Sequence, residues 1–240
     1  MIIGVLEAET LPPHVVERFG SYGQMFAELL QGLDPELDFL YYAADQGQLP
    51  HGVDACDAYI LTGSRHNAFD NDPWIENLKH FICKVHGQSR KCLGVCFGHQ
   101  LVAEALGGKV INHTNGWGIG VTRFSVGERP PWMSESTDSF RILVSHQDQV
   151  SQLPPCATLF AHSEFCPNGG YFVGQHIFCL QGHPEFNRDY LRFLINKRAR
   201  LIGESKTEQA LKSLHQPVDR SLFRSWIADF LGLPKRSHHS

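Results

Sequence analysis

The sequence predicts an α/β fold, a doubly wound mixed sheet in one domain over residues 1–240. Three observations predict it. Short apolar runs at residues 2–6, 59–62 and 92–97 have the composition of buried parallel strands, rich in Ile, Val, Leu and aromatics. Helical patterns separate and follow them, and alternating strands and helices build a parallel sheet covered on both faces. The middle third changes character, to short strands with turn residues between them, as in an antiparallel extension of the same sheet. At 240 residues and 42% hydrophobic content, the chain is long enough to bury a sizeable core.

The first run is apolar but is followed at once by Glu7 and Glu9, with no positive segment before it. It is read as a buried first strand and not as a leader. After the strand at 59–62, Asp72-Pro73 supplies an N-cap and a first-turn proline. Trp74, Ile75, Leu78, Phe81, Ile82 and Val85 then fall on one helical face. The strand at 92–97 leads into a helix from Gly98 to Leu106, ended by Gly107-Gly108. Strands at 119–126, 140–145, 158–161, 171–173 and 176–180 form the expected antiparallel extension. Helices are expected at 189–202, 206–214 and 221–231.

Bulk properties exclude several classes. The formal charge is -4 and no basic region is broad enough for nucleic acid. The basic cluster between Asn196 and Arg200 is read as a solvated helix face. No apolar stretch approaches the ~18 residues of a membrane span, so a cytoplasmic protein is expected, with no membrane partner. Seven cysteines lack CxxC spacing, and the fourteen histidines include no HExxH. No metal and no cofactor are expected, and His238-His239 are read as a cloning remnant or a terminal tail.

Leu93-Gly94-Val95-Cys96-Phe97-Gly98-His99-Gln100 carries the chemistry. A strand ending in Gly-x-Cys-x-Gly before a helix is a nucleophile elbow with cysteine in the nucleophile position. Flanking glycines let strand and helix approach while the central residue takes a strained conformation. The thiol stands at a helix N-terminus, where the backbone dipole favours a thiolate. The competing reading is a buried, inert thiol, as expected for the other six cysteines.

A nucleophilic cysteine needs a base and a group to orient it. In Gln181-Gly182-His183-Pro184-Glu185, Pro184 holds His183 extended. Residues two apart then share a face, so His183 and Glu185 project together. Glu185 can hold one ring nitrogen and leave the other for Cys96. The alternative is a surface histidine beside an acid.

GVCFGHQ followed by a distant QGHPEF resembles the class I glutamine amidotransferase family. The likeness runs from the first strand to about Phe193. It implies the flavodoxin-like fold of that family and a Cys-His-Glu triad at Cys96, His183 and Glu185. It implies glutamine or a γ-glutamyl small molecule as substrate and a γ-glutamyl thioester on Cys96. Leu61-Thr62-Gly63-Ser64 stands where the family has its glycine-rich oxyanion strand, which assigns backbone N–H groups of Ser64 and Phe97 to the oxyanion hole. Gly63, Gln100, Ser145 and His146 match positions that hold the substrate. Trp117 and Gly118 follow a turn near the expected site. Many members have Gly-Gly-Pro where this chain has Gly63-Ser64-Arg65. The chain is similar to stand-alone members related to the amidotransferase half of GMP synthase, and plant γ-glutamyl peptidases have very similar TGSRH and QGHPE segments. No synthetase segment follows in this sequence. The readings left open are an ammonia donor to a separately encoded synthetase subunit, a stand-alone γ-glutamyl peptidase, and a non-catalytic binding or regulatory subunit.

Overall fold

The computed structural model describes residues 1–114 and 116–233, so His238 and His239 lie outside the described residues. Five strands lie parallel in the order β2 (Asp38–Ala43), β1 (Ile2–Glu7), β3 (Ala58–Leu61), β4 (Lys91–Val95) and β11 (Ile177–Leu180). The sheet continues antiparallel through β10 (Gly170–Val173), β9 (Thr158–His162), β6 (Gly118–Val126) and β7 (Ser139–His146). A separate ribbon pairs β5 (Lys109–Asn112) with β8 (Asp148–Gln152).

Strand periodicity sorts the core into two layers. Ile3, Val5, Ile60, Leu93 and Val95 face one side and pack on α2 (Tyr22–Leu30) and α7 (Arg220–Leu231). Leu6, Tyr59, Leu61 and Cys92 face the other and pack on α3 (Pro73–Gly87) and α4 (Phe97–Ala105). A third cluster joins α1 (Pro13–Phe19), α5 (Arg188–Ile202) and α6 (Glu204–Ser213) to Leu143 of β7. Among the described residues no helix is long and apolar enough to cross a membrane.

Register brings three strand ends together. Leu61 pairs with Gly94, and Leu180 with Val95. The segments that follow β3, β4 and β11 therefore leave the sheet side by side, at the C-terminal edge where open α/β sheets bind ligands.

The expected elements are present, with corrections. The strand expected at 176–180 is not simply part of the antiparallel extension. It pairs antiparallel to β10 but parallel to β4, so β11 joins the two halves of the sheet. The strand expected at 92–97 ends at Val95, and Phe97, not Gly98, opens the helix, because the chain reverses at Cys96. Asp72 occupies the N-cap position of α3 without a side-chain capping bond. The sequence reading omitted β2, β5, β8, α1 and α2. Strand β2 lies at the sheet edge with Leu40 and Tyr41 exposed, although Phe39 to Ala43 is an apolar run that the sequence reading passed over. Helix α2 carries a legible signal, the Ser21–Gln24 capping box.

Candidate active site

The elbow is sterically forced. Cys96 has φ 54° and ψ -103°, a conformation costly for a residue with a side chain. A Cβ on Gly98 would lie 2.3 Å from the Leu61 carbonyl oxygen, so only glycine lets α4 approach β3 this closely. The Cys96 N–H is held by the Leu180 carbonyl at 2.9 Å, and the Gly98 N–H by the Thr62 carbonyl at 3.1 Å. The turn is thus tied to both neighbouring strand ends. Phe97 occupies N1 of α4, where a backbone N–H has no acceptor within its own helix.

His183 meets this turn from β11. Its N–H donates to the Leu143 carbonyl at 2.8 Å, which fixes the backbone. Phe186 lies flat on the imidazole, with centroids 3.8 Å apart and planes 7° from parallel, which fixes the ring. Nδ1 is 2.8 Å from Glu185 Oε1, leaving Nε2 for the sulfur. The Cys96 sulfur lies close enough to the ring to act on its charge. All three residues are at most 5% exposed. Burial opposes charge on the imidazole, but the Glu185 carboxylate and the Cys96 sulfur outweigh it and raise its pKa to about 10. The ring therefore holds its proton at neutral pH.

Gly63 stands directly against this pair. A Cβ there would come within 2.9 Å of His183 Cε1 and 3.7 Å of Cys96 Cβ. Ser64 borders both a small inner cavity, shared with Cys96, His183, Tyr22 and Ser145, and the outer cleft. The outer cleft, about 250 Å³, opens over Cys96 between Arg65, Gln100, Trp117, His146 and Arg198.

The other expected residues line this cleft, several with their polar atoms engaged. Gln100 is buried, and its Nε2 donates to the Asp148 carbonyl (2.8 Å) and to Gln181 Oε1 (3.1 Å). That amide braces the cleft wall, so its NH₂ is committed inside the protein. Ser145 Oγ accepts from Arg198 at 2.6 Å. His146 donates from Nδ1 to the Asp148 carbonyl at 3.1 Å, and burial pushes its pKa down to about 4, so it is neutral. Gly118 packs against the His146 ring, and Trp117 faces the cleft.

Four residues here were not singled out from the sequence. Arg198 belongs to the basic cluster read as a solvated face, yet it reaches Ser145 and lies over the Trp117 ring at 5.2 Å. Helical spacing turns it inward while Lys197 and Arg200 stay exposed. Glu9, 9% exposed, accepts the Arg65 N–H at 2.9 Å. Phe186 and Tyr22 complete the walls, and Phe186 follows the QGHPE segment closely enough that its role was legible. Three other buried thiols are unsuited to nucleophilic work, because burial pushes Cys166 and Cys179 up to about 12 and Cys92 further still. One His/Asp grouping with ligand spacing among the described residues, His66, Asp70 and Asp72, sits at the surface, where Asn67 already engages Asp70.

Comparison with known proteins identifies the family. The family model for glutamine amidotransferase class-I matches residues 14–191. Gamma-glutamyl peptidase 3 of Arabidopsis thaliana is 31% identical over 229 residues, covering 90% of this chain and 91% of that protein. The glutamine-hydrolysing GMP synthase of Lachnospira eligens is 26% identical over 176 residues, 71% of this chain and 31% of that one. The crystal structure of a glutamine amidotransferase from Thermotoga maritima superposes with a TM-score of 0.77 at 20% identity, over 96% of this chain and 97% of that one. The chain belongs to the class I glutamine amidotransferase family.

Proposed function

We propose that this protein hydrolyses γ-glutamyl amide bonds through a γ-glutamyl thioester on Cys96, with γ-glutamyl peptides as its substrates. One observation carries the reading: Glu185 and His183 are buried in line behind Cys96, which lines an open cleft. The sulfur attacks the side-chain amide carbon, and charge develops on the carbonyl oxygen. The Phe97 and Ser64 N–H groups receive that charge, each preorganised donor contributing about 3 kcal/mol. His183 hands its proton to the leaving nitrogen, and the C–N bond breaks. Water, deprotonated by His183, then cleaves the thioester and releases the γ-carboxylate. Glu185 keeps the ring oriented and its charge compensated throughout.

The choice of peptides over free glutamine is supported by the similarity to a γ-glutamyl peptidase over nine-tenths of the chain. The cleft also continues past the sulfur to Arg65, Trp117 and Leu201, room that ammonia does not need. Seven unpaired cysteines suit a reducing, cytoplasmic setting. Supply of ammonia to a separately encoded synthetase subunit is the second reading, favoured by the similarity to GMP synthase.

A substrate panel tests this. Glutamine, γ-glutamyl dipeptides and their α-linked isomers are assayed with ammonia and amine release followed separately. We expect γ-linked dipeptides to be cleaved with the highest kcat/KM and α-linked ones not at all. Cys96→Ala should lose at least about 10³-fold. Preference for glutamine would favour the second reading, and full activity of Cys96→Ala would remove Cys96 from the chemistry.

A further inference from the structure

We propose that Thr62 and Glu9, neither of which need touch substrate, are positioning residues that aim the Ser64 N–H at the reacting carbonyl oxygen. This rests on the assignment of Cys96 and Ser64 made above. The run from Leu61 to Arg65 is tied one peptide unit at a time. The Thr62 N–H donates to the Leu6 carbonyl at 3.2 Å, and the Thr62 carbonyl accepts from Gly98 at 3.1 Å. The Gly63 carbonyl accepts from Thr62 Oγ1 at 3.1 Å. The Arg65 N–H donates to Glu9 Oε2 at 2.9 Å. In each of these four peptide units one end is held.

The third tie decides the direction of the oxyanion donor. A trans peptide points its C=O and N–H in opposite directions. Holding the Gly63 carbonyl toward Thr62 therefore turns the Ser64 N–H the other way, at a residue that lines the cavity shared with Cys96 and His183. Thr62 is itself immobilised, because its hydroxyl accepts the Ala8 N–H at 3.0 Å and the residue is fully buried. Its single hydroxyl proton is thus directed at the Gly63 carbonyl.

Glu9 holds the next unit with a charged acceptor, stronger than a neutral one. Its ion pair is secondary, since Arg65 Nε lies 3.8 Å away on a side chain 66% exposed. Ala8, which anchors the Thr62 hydroxyl, and Glu9 both directly follow β1, a strand with no residue in the Cys-His-Glu line.

The test compares Thr62→Val, Thr62→Ser and Glu9→Gln. For each, kcat and KM on a γ-glutamyl dipeptide are measured beside the rate of Cys96 alkylation by iodoacetamide. Alkylation forms no oxyanion, so it reports an intact elbow without calling on Ser64. We expect Thr62→Val to lower kcat about 10- to 100-fold with KM and alkylation each within about 2-fold. Thr62→Ser should restore most of the rate, and Glu9→Gln should lower kcat about 3- to 10-fold. The inference is overturned by kcat within about 2-fold of wild type in both Thr62→Val and Glu9→Gln, by Thr62→Ser as slow as Thr62→Val, or by alkylation falling in step with kcat. Should Thr62→Val fail to fold, Glu9→Gln decides by the same criteria. Cys96→Ala in the same assay separates the two levels. If it is inactive, normal turnover by the positioning variants defeats this inference alone; if it is active, the assignment beneath it falls as well.

Discussion

The imidazole of His183 is pressed between opposing demands. Burial disfavours its charge, while the Glu185 carboxylate and the Cys96 sulfur favour it, and the charge wins, with a pKa near 10. Removing one partner should move the balance in a known direction. In Cys96→Ala the ring is expected to titrate at lower pH than in wild type, measured from its ring-proton and nitrogen resonances; an unchanged titration would place the sulfur outside its field. Glu185→Gln should lower kcat by at least about 10²-fold, in steady-state assays at pH 7, because the ring loses both orientation and compensation. The same shift affects stability. An unfolded histidine titrates near about 6.5, so a folded value near 10 stabilises the native state fully below about 6.5. That contribution is lost as pH rises through about 10. Urea unfolding of wild type should therefore weaken more steeply between pH 6.5 and 10 than that of Glu185→Gln. The pairing of His183 with Glu185 was legible because residues two apart in an extended segment share a face, and the turn at Cys96 because glycines flank it. Arg198 and Glu9 were not, because each reaches the site across the fold from a segment with no motif of its own.

At the level of elements, the junction between β4 and α4 sets the geometry. Helix α4 lies so close to β3 that a methyl group on Gly98 would penetrate the Leu61 carbonyl, which is backbone and cannot swing aside. Gly98→Ala is expected to cost about 3 kcal/mol or more in chemical denaturation and to lower activity with it. A loss below about 1 kcal/mol would mean the contact relaxes easily. Buried elements were the easier ones to read, since β1, β3, β4 and α3 show uninterrupted apolar runs or a single apolar face. Strand β2 carries the same signal from Phe39 to Ala43 and was passed over, whereas β5 and β8 lack it because their ribbon is half exposed. Strand β11 was found but its partner was not, because a run of four apolar residues does not reveal which neighbour is parallel.

Across the whole molecule, stability and chemistry are laid out in different places. Trp226 of α7 is fully buried and meets Phe140, Phe160 and Phe223 edge-on at 5.3–5.5 Å. Its Nε1 donates to the Glu135 carbonyl at 2.9 Å. Trp226→Ala should cost about 3–5 kcal/mol in urea unfolding while the folded fraction keeps its kcat. The groups proposed to react instead gather where the ends of β3, β4 and β11 meet at one edge of the sheet. Of the seven cysteines, Cys83 and Cys156 are exposed, whereas Cys96 is 5% exposed at the floor of the cleft. Reactivity and exposure thus make opposite predictions about which thiol a substrate-like reagent will find. The most direct measurement is labelling by a glutamine-analogue alkylator at one equivalent, with the adduct mapped by mass spectrometry and residual turnover followed in parallel. The account predicts one adduct per chain on Cys96, activity lost in proportion to it, and protection by excess γ-glutamyl peptide. Adducts on Cys83 or Cys156 with turnover intact would contradict it.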